Sequence, residues 1–304
     1  MHSKSLVAYI VILVLLCAGF VVGARLLGQQ GVYLASAYML TPALAAILTR
    51  LFFYGPHFKD ARLRFGKWRD YFRFWLYSLA ITAFSFALYT SFGAVRWDLS
   101  GKVFLDLLAQ QFALAGQDIN ASLPSGMTPQ MMLWLYFIGG LTLFNILPGV
   151  ITGFGEEFGH RGFMYPLLFP KRPWLGLAVG GIIWYLWHQP LLLIVPAAAP
   201  LPLWQAIVDQ IGAIIGAIST HIYLCYVYRK SNSIFVPSIA HITLNNAARS
   251  LSYFVVLQSQ FAANLAQNLT FLIILLILYF SKELSLLTGP AVGRVEVSAT
   301  DYPA

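Results

Sequence analysis

The stretch ITGFGEEFGHRGFMYPLLF, residues 151–169, decides the fold because it places two adjacent carboxylates inside an apolar segment. An acid at the centre of a helix in hydrocarbon costs about 2.5–3.5 kcal/mol, so both carboxylates need compensation. Arg161 follows Glu157 by four residues, and side chains at that spacing pair along one face of a helix. Glu156 points about 100° away from that pair, which leaves it free to act chemically.

The composition around this stretch is that of a polytopic membrane protein. Of 304 residues, 59% are hydrophobic and 10% are charged, whereas a soluble domain has roughly 45–50% apolar and about 25% charged residues. No segment has the charge density of a soluble domain, so we expect one integral-membrane domain over residues 1–304. The net charge of +8 indicates contact with anionic membrane lipid. Nucleic acid is not an expected partner, because no basic patch is interleaved with aromatic side chains.

Eight segments have the roughly 20 apolar residues that a transmembrane helix needs. They are 6–27, 32–53, 72–92, 131–151 running on towards 169, 174–195, 204–228, 235–257 and 269–287. The predicted fold is therefore all-α, a polytopic bundle of about eight transmembrane helices. Pro148 and the glycines after it predict a kink or a division in the fourth segment. Lysine and arginine concentrate in every second loop, which places both termini in the cytoplasm.

Histidine interrupts two of the other predicted spans. His188 and His241 each lie in a long apolar segment, and Asn245 follows His241 by one helical turn. At 1.5 Å per residue, Glu156 lies about 18 Å and His188 about 21 Å from the cytoplasmic ends of their segments. His241 and Asn245 lie about 9–20 Å from theirs. Because these depths overlap, we predict that all four line one intramembrane cavity open to the cytoplasmic side.

This set of side chains suits the hydrolysis of an amide bond. The reaction needs an activated water and hydrogen-bond donors where negative charge develops on the carbonyl oxygen. Two histidines and a glutamate are also the ligands of an open catalytic zinc site. The His-Glu-x-x-His spacing that places two ligands one turn apart is absent from the sequence. We therefore expect no cofactor, and a divalent metal such as zinc remains the alternative.

In these residues the chain resembles the CPBP family, the CAAX protease and bacteriocin-processing or Abi family. That family includes the type II CAAX prenyl endopeptidases. It is marked by Glu-Glu-x-x-x-Arg, then an aromatic residue four positions before a histidine, then His-x-x-x-Asn. This chain has Glu156-Glu157-Phe-Gly-His-Arg161, Trp184-Tyr-Leu-Trp-His188 and His241-Ile-Thr-Leu-Asn245. The resemblance covers residues 132–257, which we take as the catalytic core.

The resemblance implies a glutamate-type intramembrane peptidase. Glu156 with His188 would activate water, and His241 with Asn245 would stabilise the oxyanion. The Glu-Arg ion pair described above would support the site. The substrate would be a membrane-associated peptide or protein, prenylated or bacteriocin-like, cleaved by an enzyme in the plasma membrane of a prokaryote.

Two positions depart from the family pattern. Trp184 stands where phenylalanine is common, which exchanges one aromatic side chain for another. His160 stands where apolar or aromatic residues are common. It lies four residues after Glu156, a spacing at which the two side chains can hydrogen-bond on a helix. The sequence alone does not assign it a role.

Other functions stay open at this point. Buried acids, glycine-broken helices and eight spans also suit a proton- or cation-coupled transporter, although no inverted repeat is evident. An inactive immunity or scaffold protein would keep the same fold. Each motif residue taken singly also has a structural explanation, such as a buried ion pair or an interhelical hydrogen bond. The oligomeric state is not predicted.

Five further residues in apolar segments are expected to be structural. Asp209 and Arg249 lie at similar distances from the outer face of the membrane, which predicts an ion pair between them. His221 has no partner in any motif. Cys17 and Cys225 are expected to fill the bundle and to form neither a disulfide nor a metal site.

Overall fold

The described residues of the computed structural model, 2–54, 58–114, 118, 123–194 and 202–288, fold almost entirely into helices. The α-helices are α1 (His2–Leu26), α2 (Leu34–Tyr38), α3 (Thr41–Thr49), α4 (Trp68–Ser91), α5 (Lys102–Leu114), α6 (Pro129–Leu141), α7 (Leu143–Gly159), α8 (Tyr165–Leu167), α9 (Pro173–His188), α10 (Leu203–Ser231), α11 (Phe235–Ser252), α12 (Gln260–Phe280) and α13 (Ser285–Thr288). π-Helical turns follow α3 and α7, at Arg50–Tyr54 and His160–Met164, and 3-10 turns lie at Gly28–Tyr33, Lys59–Ala61 and Gln189–Leu193. The all-α prediction is confirmed.

Within these residues, four helices are long and apolar enough to cross a membrane: Lys4–Leu26, Trp68–Ser91, Leu203–Ser231 and Gln260–Phe280. The bent pair Gln30–Tyr38 and Thr41–Phe53, whose axes differ by 49°, makes a fifth candidate if it is one broken span. The remaining predicted spans fold as shorter or more polar helices; α7, α9 and α11 have 17, 16 and 18 residues. The structure therefore supports four or five spans by length and composition, and the predicted count of eight is not confirmed.

The fourth predicted span divides, but at a different place from the one its sequence indicated. The break falls at Thr142, whose φ of −116° and ψ of 175° are those of extended chain. Helix α7 then continues through Pro148 and the glycines that were expected to interrupt it. The next irregularity is the π-helical turn that begins at His160, directly after the paired acids. Such turns are frequent at functional sites.

Helix α7 lies between α3 and α11, because glycines keep side chains out of both contacts. A Cβ on Gly159 would come within 2.4 Å of the Pro42 backbone on α3, and one on Gly153 within 2.6 Å of the Ile242 side chain on α11. These close approaches explain why the glycines do not end the helix. Packing on both sides outweighs their poor helix propensity of about 1 kcal/mol each. The acids of α7 are thereby held beside α11.

A two-stranded antiparallel sheet follows α11 where the sequence predicted more helix. Helix α11 ends at Ser252, and β2 (Val255–Leu257) pairs with β1 (Val95–Trp97), with Val95 opposite Leu257. The seventh predicted span, 235–257, is therefore wrong over its last turn. An apolar run of three residues fits a helix or a strand equally well, and the partner strand that decides between them is far away in the sequence.

A hydrogen bond joins the segment between α3 and α4 to the π-helical turn at His160–Met164. Arg50 is fully buried and pairs with Asp60, Nη1 to Oδ1, at 2.6 Å, while its Nη2 donates to the Gly162 carbonyl at 3.2 Å. Arg62 donates from Nη1 to the Tyr228 carbonyl at 3.2 Å. Arg50 thus ties the start of this basic loop to the segment that follows the acid pair, and Arg62 ties the loop to α10.

The ion pair predicted between Asp209 and Arg249 is absent. Asp209 Oδ1 accepts a hydrogen bond from Asn264 Nδ2 at 2.7 Å, and the Arg249 side chain is exposed. The prediction was wrong because α12, not α11, packs beside this end of α10.

The two cysteines and His221 are buried, as expected of structural residues. Neither Cys17 nor Cys225 forms a disulfide. Cys225 Sγ lies 3.4 Å from His221 Nε2 on the same helix. Gly180 makes room for this imidazole, since a Cβ there would lie 2.5 Å from His221 Nε2.

Candidate active site

Three helices bring the sequence motifs together in one cluster. Helix α7 carries Glu156 and Glu157 near its end, α9 carries Trp184 and His188, and α11 carries His241. All three converge because α7 packs directly on α11, and α9 ends where the acids lie. The convergence was predicted from estimated depths alone.

Glu157 is the centre of a buried ion pair, as its spacing from Arg161 predicted. Its Oε1 lies 2.9 Å from Arg161 Nη1 and 2.9 Å from His241 Nδ1. The side chains of Glu157 and Arg161 are both 0% exposed. One carboxylate oxygen therefore binds a guanidinium in the same segment and an imidazole on another helix. This shared contact fixes α11 against α7.

Glu156 faces both imidazoles. Its Oε2 accepts a hydrogen bond from Trp184 Nε1 at 3.1 Å. The same oxygen lies 3.9 Å from His188 Nε2 and 4.0 Å from His241 Nε2. These two separations exceed a direct hydrogen bond and match the spacing that a bridging water spans. The three groups therefore surround a position where a small reactant is in reach of all of them.

The hydrogen bonds of the Nδ1 atoms determine what each Nε2 atom does. His188 Nδ1 donates to the Trp184 carbonyl at 2.8 Å, since a carbonyl can only accept. His241 Nδ1 donates to the Glu157 carboxylate. With Nδ1 protonated in both rings, each Nε2 is an acceptor when the ring is neutral and a donor only when the ring is charged.

The cluster is closed on most sides and opens at His188. The side chain of His188 is 34% exposed, whereas those of Glu156 and His241 are 5% and 2% exposed. A reactant that approaches the acid therefore passes His188. The predicted cavity on the cytoplasmic side is not confirmed by this exposure alone.

The remaining two motif-region residues are placed less closely. Asn245, one turn beyond His241 on α11, is exposed and makes no hydrogen bond with another described residue. His160 is fully buried and does not form the hydrogen bond to Glu156 that its spacing allowed. Its ring packs against Trp187 at 5.2 Å between centroids, and neither ring nitrogen has a partner among the described residues. The backbone N–H of His160 still donates to the Glu156 carbonyl, so the four-residue register is kept there, and the Glu156 carboxylate accepts from Trp184 instead.

The fit of a metal ion can be judged from the same distances. Two imidazole nitrogens and a carboxylate oxygen are a donor set that zinc accepts. The separations of 3.9 and 4.0 Å from Glu156 Oε2 exceed the roughly 3.3 Å between two ligands of tetrahedral zinc. Among the described residues, no group of three His, Cys, Asp or Glu is close enough to hold a metal ion. A metal would require these ligands to move together.

Sequence reasoning missed two contacts of the site. Trp184 was regarded as a bulky aromatic equivalent to phenylalanine, and its indole N–H was not considered as a donor to Glu156. The contact between His241 and Glu157 was also missed, because 84 residues separate them. The first had a detectable signal, since Trp184 lies one helical turn before His188 and shares its face.

Comparison with known families agrees with the motifs. Residues 130–247 match the model of a family described as Type II CAAX prenyl endopeptidase Rce1-like. This match supports the CAAX protease family that the motifs indicated. The CAAX protease match begins in α6, ends in α11 and includes every motif residue from Glu156 to Asn245. A search of curated proteins finds no match. Together with the apolar helices, the family indicates an integral membrane protease that acts on peptide or protein substrates.

Proposed function

We propose that this CAAX-type protease is a glutamate-type intramembrane endopeptidase in which Glu156 and His188 activate water. One observation carries the proposal: Glu156 Oε2 lies 3.9 and 4.0 Å from the Nε2 atoms of His188 and His241. A water between the acid and His188 would lie within hydrogen-bond reach of a base on each side. Positioned general bases of this kind contribute about 10²–10⁴-fold to a rate.

The proposed reaction follows from these positions. Glu156 takes a proton from water while the water oxygen attacks the carbonyl carbon of the scissile peptide bond. A tetrahedral intermediate with a negative oxygen results, and donors aimed at that oxygen stabilise it. Collapse of the intermediate breaks the C–N bond, and Glu156 returns the proton to the leaving amine. The carboxylate is thereby regenerated.

His241 and Asn245 are the proposed donors to the oxyanion. Because the Nδ1 hydrogen of His241 is committed to Glu157, its Nε2 donates only when the ring carries a proton on both nitrogens. The surrounding charges favour that state. Two carboxylates face Arg161 and the charged ring of His241, so the buried cluster is neutral overall. Asn245 lies one turn further along α11, about 6 Å along the helix axis, and is the second proposed donor.

We further propose that the chain acts without a metal in a bundle of eight membrane-embedded helices. The four long spans and the bent pair make five candidate spans. The other three would be shorter: α6 together with α7 as one, α9 as the second and α11 as the third. Basic residues in alternate loops would place both termini and the mouth of the site at the cytoplasmic face of a prokaryotic plasma membrane. The substrate would be a membrane-associated peptide, prenylated or bacteriocin-like.

Cleavage in reconstituted membranes tests the proposal. The purified protein in liposomes would be offered a quenched fluorescent peptide library with prenylated and unmodified members. Wild type is compared with Glu156→Gln and with Asp209→Asn, which removes a membrane acid bonded to Asn264 and distant from the motifs. We expect cleavage by wild type and Asp209→Asn, with a loss of at least 10³-fold in Glu156→Gln. Equal cleavage by wild type and Glu156→Gln would overturn the proposal.

A further inference from the structure

One indole side chain contacts Glu156, both site histidines and Arg161. Trp184 is 8% exposed, and its Nε1 donates to Glu156 Oε2 at 3.1 Å. Its ring centroid lies 4.9 Å from that of His188 and 5.7 Å from that of His241, both in edge-to-face geometry. The guanidinium carbon of Arg161 lies 4.9 Å from the same ring. No other described side chain hydrogen-bonds to Glu156.

We propose that Trp184 is a positioning residue whose indole N–H fixes Glu156 Oε2 between the two imidazoles and keeps that carboxyl ionised. This inference rests on the proposed function, in which Glu156 is the base. Its physical reason is that a hydrogen bond donated to a carboxylate favours the charged form. Phenylalanine, the residue common at this position in the family that the chain resembles, has no N–H to donate. With phenylalanine at this position, the aromatic packing of the site would remain, but the hydrogen bond that holds the Glu156 carboxylate would be lost.

The other groups that face Glu156 do not replace this donor. His188 and His241 lie at 3.9 and 4.0 Å, outside direct hydrogen-bond range. In its own segment, Arg161 is committed to Glu157, and the His160 ring lies against another tryptophan. Helix α3, which packs on the far side of α7, carries no titratable side chain.

The geometry also explains why a tryptophan is needed instead of a smaller donor. The indole packs against the Arg161 guanidinium on its face and makes edge-to-face contacts with two imidazoles, so the direction of its N–H is fixed. A cation over an indole is attracted by the negative face of the ring, and more strongly when the cation is desolvated. The buried ion pair that supports the site therefore also orients the donor that holds the base.

Two substitutions separate the N–H from the ring. Trp184→Phe removes both the donor and part of the ring, whereas replacement by benzothienylalanine, introduced as a non-natural residue, keeps the bicyclic shape and removes only the N–H. We expect both to lower kcat by about tenfold with KM changed less than twofold. We also expect both to move the acid limb of the pH–rate profile up by about one pH unit, since a charge-assisted hydrogen bond is worth that much. Trp97→Phe is the matched control, because its indole donates to Thr90 Oγ1 away from the site.

A second readout needs no turnover. A carbodiimide modifies a carboxyl group in its protonated form, so the pH at which Glu156 is half-labelled, followed by mass spectrometry, reports its ionisation directly. We expect that midpoint to rise by about one pH unit in both Trp184 variants and to stay unchanged in Trp97→Phe. Wild-type kcat and an unchanged labelling midpoint in the benzothienylalanine protein would overturn the inference. Trp184 would then have a packing role only. If Glu156→Gln cleaved like wild type, the proposed function would fail, and the labelling midpoint would still decide the role of Trp184.

Discussion

At the scale of single residues, the most consequential feature is the sharing of Glu157 between two helices. Its Oε1 binds Arg161 four residues away and His241 on α11, each at 2.9 Å. All three side chains are at most 2% exposed. In such surroundings the loss of one partner costs more than the pair contributes, because the remaining charge is stranded.

Arg161→Met is therefore expected to destabilise the protein by about 3–5 kcal/mol, since it leaves Glu157 without a guanidinium in a buried position. Unfolding in mixed detergent micelles, followed by circular dichroism, measures the change. The double variant Glu157→Gln/Arg161→Met is the control, because a neutral amide still accepts from His241 Nδ1. Most of the lost stability should return in the double variant. A double variant as unstable as the single one would contradict the ion-pair explanation.

The sequence sufficed for local contacts and failed for distant ones at this scale. The Glu157–Arg161 pair could be predicted because both residues lie on one helical turn. The bond between His241 and Glu157 spans 84 residues and has no local pattern. The expected contact of His160 with Glu156 failed because both side chains have partners on α9, Trp187 for the ring and Trp184 for the carboxylate. Such long-range contacts leave no local pattern in the sequence.

At the scale of elements, the position of α7 depends on the glycines at its contacts with α3 and α11, because glycine has no side chain to separate the helices. A Cβ on Gly159 would lie 2.4 Å from the backbone carbon and oxygen of Pro42. Backbone atoms of a neighbouring helix cannot rotate away, so α3 and α7 would have to separate. The acid pair lies within one turn of this contact and would move with it.

Gly159→Ala should lower stability by about 1–3 kcal/mol through overpacking and reduce activity at least tenfold by displacing Glu156. Gly139→Ala is the matched control on α6, because a Cβ there meets nothing within 4 Å. That control should melt at the wild-type temperature or slightly above it, since alanine favours helix over glycine. Melting curves and cleavage rates of the two variants, measured side by side, check the prediction. Equal behaviour of both alanine variants would show that the α3–α7 contact does not constrain the site.

Element boundaries were the least predictable part of the fold. The break at Thr142 follows Gly139 and Gly140, two poor helix formers that the prediction did not use, whereas Pro148 lies inside an unbroken helix. Long-range packing keeps α7 continuous, since the helix is held by the neighbours on its two faces. The strand Val255–Leu257 is likewise decided by its partner Val95–Trp97. Helix α5, by contrast, has a local signal, because apolar residues recur at helical spacing over 103–114.

At the scale of the whole molecule, the orientation in the membrane controls which compartment supplies the substrate. The loop before α4 and the loop before α5 lie at opposite ends of α4. The charge distribution predicts that the first faces the cytoplasm and the second the outside. Both native cysteines are buried, which gives a low background for thiol labelling.

Single cysteines at exposed positions 67 and 99 test the orientation. Leu99→Cys should react with a membrane-impermeant maleimide on intact cells, and Lys67→Cys only after permeabilisation, because the charge distribution predicts that the two loops face opposite sides. Wild type, whose two thiols are buried, is the control for background. Labelling of Lys67→Cys on intact cells would reverse the topology and place the mouth of the site on the outer face.

The proposed mechanism requires Glu156 to act as the base. The most direct measurement is the rate at which liposomes containing wild type or Glu156→Gln cleave one peptide substrate, each with and without a strong chelator. We predict that Glu156→Gln loses at least 10³-fold in cleavage rate and that chelator leaves the wild-type rate unchanged. Added zinc should raise the rate of neither protein. Cleavage by wild type that chelator abolishes and zinc restores would contradict the metal-free mechanism. Undiminished cleavage by Glu156→Gln would contradict the assignment of the base itself.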